Sequence, residues 1–157
     1  MFVLVEQMLQ NEVTLERTNS AVYRQMADEL DNQGWDGSAK FMRKSSDDEL
    51  THADKFCGVL VDRNITPIYD TIRKIEMVNG RLVDYFLTAY EAEQKTTAAI
   101  EEIYKTAHDE GEFLVTQFLQ FFLEEQRQSE REVWDIIQML EASDEWRLID
   151  GKVGALK

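Results

Sequence analysis

The stretch Asp47-Asp48-Glu49-Leu50-Thr51-His52-Ala53-Asp54 sets a glutamate and a histidine three residues apart inside a helical pattern. At 3.6 residues per turn the two side chains share one helix face. Outward from that pair the same face carries Met42, Ser45, Phe56 and Val59, spaced by threes and fours. The stripe faces a core, so Glu49 and His52 stand where the pattern asks for Leu or Val. Buried polar groups need partners, and in a helical protein those come from neighbouring helices.

Three more stripes have the same character. Leu9, Val13, Glu16, Ser20, Tyr23, Ala27 and Leu30 mark one face of a helix over 4–32, which Gln33-Gly34 ends. Asp36 or Ser38 can cap the next helix, over 37–63. After Gly80, the residues Phe86, Tyr90, Glu93, Thr97, Ile100, Tyr104 and Ala107 mark a helix over 81–109, closed by Asp109-Glu110-Gly111. Val115, Leu119, Phe122, Gln126, Ser129, Val133, Ile136 and Leu140 mark a fourth over 112–141, and a short fifth over 145–151 follows a Ser143-Asp144 cap and ends at Gly151. Each long helix spans on the order of 40 Å at ~1.5 Å per residue.

Residues 64–80 hold Pro67, Ile68, Tyr69, Ile72, Ile75 and Met77, too apolar for a free linker and too irregular for a helix; they read as a packed crossover. Two short-turn hairpins joined by one long connection predict an all-α, up-down-down-up four-helix bundle with a short fifth helix, in a single domain over 1–157. Glu16 to Glu49 and Glu93 to Gln126 are both separated by 33 residues (49 − 16 and 126 − 93), so matched hairpins bring all four to one level.

Composition narrows the chemistry. The chain has 157 residues, 17 Lys and Arg against 31 Asp and Glu, and a formal net charge of −14. That charge repels nucleic acid and anionic membranes and attracts cations. A single cysteine, Cys57, excludes an internal disulfide and a Cys-x-x-Cys metal site and suits a reducing, cytoplasmic location. No segment has the length or flanks of a membrane span or signal peptide.

Glu16, Glu49, His52, Glu93 and Gln126 therefore share a core level with no Lys or Arg in the aligned stripes. Three buried carboxylates would take up protons or hold cations between them. Glutamate oxygens suit iron or manganese, and one imidazole moves the preference toward iron or zinc; iron satisfies both.

At these residues the chain resembles a non-haem ferritin over essentially its full length. The resemblance rests on Leu15-Glu16, Tyr23, the Gln33-Gly34-Trp35-Asp36-Gly37 turn, Asp48-Glu49-Leu50-Thr51-His52-Ala53, Glu91-Ala92-Glu93 and Phe118 to Gln126. The pattern known for ferritin-like bundles is one Glu from each of two helices and a Glu-x-x-His from each of the others. Here the second motif reads Gln126-Arg127-Gln128-Ser129. Gln126 followed by a small residue resembles the animal heavy-chain ligand set.

The resemblance implies an intra-subunit di-iron centre, with Glu16, Glu49 and His52 on the first iron and Glu49, Glu93 and Gln126 on the second. It implies that Glu49 bridges the two, that Tyr23 is a catalytic neighbour as hydrogen-bond donor or electron source, and that Asp48 and Glu125 are candidate accessory ligands. It further implies ferroxidase activity with Fe²⁺ and O₂, iron storage in a homo-oligomeric 24-mer cage, and no haem, since Leu50 stands where bacterioferritins carry a haem-ligating Met. The alternative is another di-iron carboxylate oxidase or peroxidase on the same bundle.

Overall fold

The computed structural model describes residues 3–157; Met1 and Phe2, part of the domain expected over 1–157, lie outside the described residues. The regular secondary structure is five helices: α1 (Val3–Asn32), α2 (Asp36–Asp62), α3 (Leu82–Asp109), α4 (Phe113–Ala142) and α5 (Trp146–Gly154). No strand occurs among the described residues. The architecture is the expected one, four long helices with a crossover and a short fifth.

Each hairpin turns at a glycine in the left-handed region, Gly34 at φ +83° and Gly111 at φ +77°. The turns close with backbone bonds back into the preceding helix, Trp35 N–H to the Leu30 carbonyl (2.9 Å) and Glu112 N–H to that of Ala107 (2.8 Å). These short reversals lay α1 against α2 and α3 against α4, and α1 also packs on α3. No helix is long and apolar enough to cross a membrane.

The crossover between α2 and α3 is non-helical and is held along α1 by side chains. Gln10 donates to the Thr66 carbonyl (3.2 Å) and accepts from the Ile68 N–H (2.9 Å), and Arg17 donates to the Asp70 carbonyl (3.1 Å). At its far end the buried Glu29 carboxylate accepts from Val78 N–H, Asn79 N–H and the Tyr85 hydroxyl. Of the apolar residues expected to pack, Ile72 and Ile75 are half-buried, whereas Ile68, Tyr69 and Met77 are exposed. Polar anchors on α1 thus do much of what apolar packing was expected to do.

Three local expectations need correction, the first being that Ser143-Asp144 caps α5, whose N-cap is Glu145 with no side-chain capping bond. Neither Asp36 nor Ser38 caps α2: its N-cap is Trp35, which makes no side-chain capping bond. The Asp150 carboxylate of α5 takes that role, accepting from Gly37 N–H (3.0 Å) and Ser38 N–H (2.7 Å). An anion there also meets the positive end of the helix dipole. Nor does α5 stop at Gly151; it continues to Gly154. Val153 is fully buried, and Gly154 sits so close to Gly37 that a Cβ would come within 2.7 Å of the Gly37 Cα. Docking on α2 outweighs the roughly 1 kcal/mol that an interior glycine costs a helix.

The core falls into two apolar clusters. One, around Tyr23, Phe41, Tyr85, Phe86 and Ile136, fills the end of the bundle capped by α5. The other, around Leu9, Phe56, Ile100, Leu119 and Phe122, fills the opposite end. Between them lies a buried polar layer that includes Glu12, Glu16, Ser45, Glu49, His52, Glu93, Thr96 and Gln126.

Candidate metal centre

Four helices each bring polar residues to this layer because the polar residues interrupt otherwise apolar stripes at matched heights. Glu16 comes from α1, Glu49 and His52 from α2, Glu93 from α3 and Gln126 from α4, and all five are buried. Ligand atoms of Glu16, Glu49 and His52 lie within 4.8 Å of one another. Three donors on one ion at ~2.1 Å lie roughly 3.0–3.6 Å apart, so side-chain shifts of up to about an ångström close the set on a cation.

The hydrogen-bonding balance points the same way. Both carboxylate oxygens of Glu16, Oε2 of Glu49 and Nδ1 of His52 are buried with no hydrogen-bond partner. Leaving such groups unmatched costs on the order of 1–3 kcal/mol each, and more when they are charged. His52 Nδ1 faces the carboxylates, 3.7 Å from Glu16 Oε2 and 3.8 Å from Glu49 Oε2. Its Nε2 faces outward, 2.9 Å from Glu125 Oε2, at ion-pair distance. The ring thus presents one nitrogen to the cluster and the other to the Glu125 carboxylate.

The second half of the layer is hydrogen-bonded. The Tyr23 hydroxyl donates to Glu93 Oε1, and Gln126 Nε2 donates to Glu93 Oε2 at 3.0 Å. Gln126 Nε2 also lies within reach of the Glu93 carbonyl (3.2 Å) and Thr97 Oγ1 (3.3 Å), and Thr97 in turn donates to Glu130 (2.7 Å). Tyr23, Glu49, His52 and Glu93 line one cavity of about 330 Å³ that opens between α2 and α4.

Electrostatics favour a cation. Burial, then the Glu49 and Glu12 carboxylates, hold the Glu16 carboxyl well above its ordinary range. Burial, reinforced by Glu49, pushes Glu93 up to about 7, against the opposing hydrogen bonds from Tyr23 and Gln126. For His52, burial favours the neutral ring, but Glu49, Glu125 and Glu93 outweigh it and raise the pKa. Burial and the neighbouring Glu93 raise Tyr23 as well, keeping it a hydrogen-bond donor. A divalent ion would relieve the carboxylates and displace their protons.

The accessory candidates separate. Glu125 contacts His52, whereas Asp48 is held by two ammonium groups, Lys44 at 2.8 Å and Lys157 at 3.2 Å. Ser129, where a symmetric site would carry a second histidine, lines the cavity and offers no imidazole or carboxylate there.

Glu12 is the participant that periodicity missed. It lies one helical turn before Glu16, is 2% exposed, and leaves Oε1 without a partner. Burial pushes its carboxyl up to about 7, partly offset by the adjoining Glu16 carboxyl. The i, i+4 relation to Glu16 is the sequence signal for it, masked by the apolar repeat that runs through Leu9 and Val13.

Comparison with known proteins places this arrangement. A family model described as the ferritin-like domain matches residues 6–143. The chain is 28% identical over 136 residues to a probable bacterial non-heme ferritin-like protein of Haemophilus influenzae, covering 87% of this chain and 82% of that protein. It is 27% identical over 132 residues to the bacterial non-heme ferritin of Escherichia coli, covering 84% of this chain and 80% of that one. In fold it is similar to an open-pore ferritin from the hyperthermophilic archaeon Archaeoglobus fulgidus, at a TM-score of 0.94 and 24% identity over 98% of this chain and 96% of the other. Matched over most of its length by that family model, with non-heme ferritins among its relatives, the chain belongs to the ferritin family.

Proposed function

We propose that this protein stores iron and has ferroxidase activity, binding Fe²⁺ as substrate within the four-helix layer and passing its electrons to O₂. The observation that carries the reading is the buried, partnerless set of Glu16, Glu49 and His52 oxygens and nitrogen drawn together from two helices. Fixed anionic ligands stabilise Fe³⁺ over Fe²⁺, which favours oxidation of the bound pair.

Each residue has a distinct part. Glu16 and His52 hold the first iron, Glu93 and Gln126 the second, and Glu49 is shared. Glu125 orients the His52 ring through Nε2, leaving Nδ1 for the metal. Tyr23 fixes one oxygen of Glu93 and leaves the other to be shared between Gln126 and the ion. Gln126 is a neutral ligand already committed through its Nε2, so the second iron is the more weakly held. Ferric product leaving that side feeds mineral in a 24-subunit cage, in the cytoplasm. Membership of the ferritin family and relatives named bacterial non-heme ferritin support storage.

The test is aerobic addition of Fe²⁺ to the purified protein, followed by size-exclusion chromatography and electron microscopy. The expected result is a large particle that retains ferric iron and acquires a dense core. Oxidation without retention would make the chain a different di-iron oxidase, and a monomer with no bound iron would refute storage.

A further inference from the structure

The cavity that reaches Glu49, His52 and Glu93 has a cation built into its outer wall. Lys157, in the segment after α5, extends its side chain back across the bundle, and that side chain is only 20% exposed. The ammonium donates to Ser45 Oγ at 3.1 Å and to Asp48 Oδ2 at 3.2 Å. It lies 3.8 Å from Glu132 Oε1 and 4.8 Å from the centre of the Phe41 ring. Ser45 and Asp48 lie on α2, within a turn of Glu49, while Glu132 lies on α4, so the lysine bridges the two helices that flank the opening. All of these residues line the cavity.

A hydroxyl and two carboxylates form a hard-oxygen set of the kind that binds divalent cations. Here that set is filled by an ammonium belonging to the chain itself. The other oxygen of Asp48, Oδ1, is held from outside by Lys44, which leaves Oδ2 to Lys157. We propose that Lys157 is a tethered cation occupying the outer cation position of the cavity, so that divalent ions displace its ammonium on their way to the inner ligands. Lys157 thereby slows entry and keeps an ion from lodging at the mouth. The inference rests on the inner cluster being a metal site, as proposed above.

Co²⁺ serves as the probe, because it binds the same oxygen and nitrogen donors without oxidising in air. Wild type, K157M, K157R, E49Q and K157M/E49Q are compared as assembled proteins by calorimetric titration and by stopped-flow absorbance. In K157M the expected results are one further, weaker Co²⁺ per subunit and association on the order of five-fold faster at low salt. High salt should abolish the rate difference, and K157R should match wild type. In K157M/E49Q the outer Co²⁺ remains while inner binding is lost, so the outer position is read separately from the inner site. An unchanged stoichiometry or an unchanged association rate in K157M overturns the proposal. Inner binding unaffected by E49Q would instead overturn the metal reading of the centre.

Discussion

Replacing Glu12 by glutamine should stabilise the metal-free protein, and the size of the effect should depend on pH in a defined way. Burial holds the Glu12 carboxyl at about 7, against 4.5 in the unfolded chain. The folded state therefore keeps a proton that the unfolded state gives up. Raising the pH from about 4.5 toward about 7 withdraws stability, and above the folded value no more is lost. With 1.36 kcal/mol per pKa unit, the penalty is on the order of 3 kcal/mol at pH 7 and about 1 kcal/mol at pH 5. E12Q removes it, and the new amide can donate to a partnerless Glu16 oxygen.

For a chain of this size 1 kcal/mol corresponds to ~2–4 °C in Tm. The expected gain is roughly 6–12 °C at pH 7, shrinking to a few degrees at pH 5. Circular dichroism melts in chelator across pH 5–8, with assembly state matched by sizing, measure it. A gain that does not change with pH, or a loss at pH 7, would refute the idea that Glu12 is an uncompensated buried carboxyl.

Other outcomes follow from the same geometry. Divalent cation binding at pH 6 should release protons, on the order of three per subunit, because Glu16, Glu93 and His52 are all held above their ordinary range; pH-stat titration with Co²⁺ reads the number, and no release would contradict the assignment. Tyr23→Phe removes the donor to Glu93 Oε1; it should cost about 1 kcal/mol of stability and weaken the second cation more than the first in a two-site titration. Asp150→Ala strips the α2 N-terminus of its cap. A loss of about 1–2 kcal/mol is expected, with faster amide exchange at Gly37 and Ser38.

The sequence made the bundle readable because its polar intrusions keep the helical period: Glu16, Glu49, Glu93 and Gln126 sit at heptad-like positions among Leu, Val and Phe, and glycines mark both hairpin turns. It also placed Tyr23 beside the centre, two turns beyond Glu16. What stayed hidden depends on contacts distant in sequence. Asp150 caps α2 from 112 and 113 residues away, so local capping rules chose Asp36 or Ser38 instead. Asp48 looked available, yet Lys157 reaches it across 109 residues. Gly151 signals a helix end locally, and only the buried packing of Val153 carries α5 past it. Glu12 was visible one turn before Glu16, but an acidic residue beside a stripe reads as solvated until burial is known.

The most direct measurement is the initial rate of ferric absorbance after rapid mixing of the apoprotein with two Fe²⁺ per subunit in air-saturated buffer, for wild type and Glu49→Gln. Glu49 is proposed to be shared by both ions, so the change should disable the pair together. Fast oxidation in the wild type, falling in the variant to the rate of Fe²⁺ in buffer alone, is the expected result. Equal rates in the two proteins, with both folded and assembled, would contradict the account.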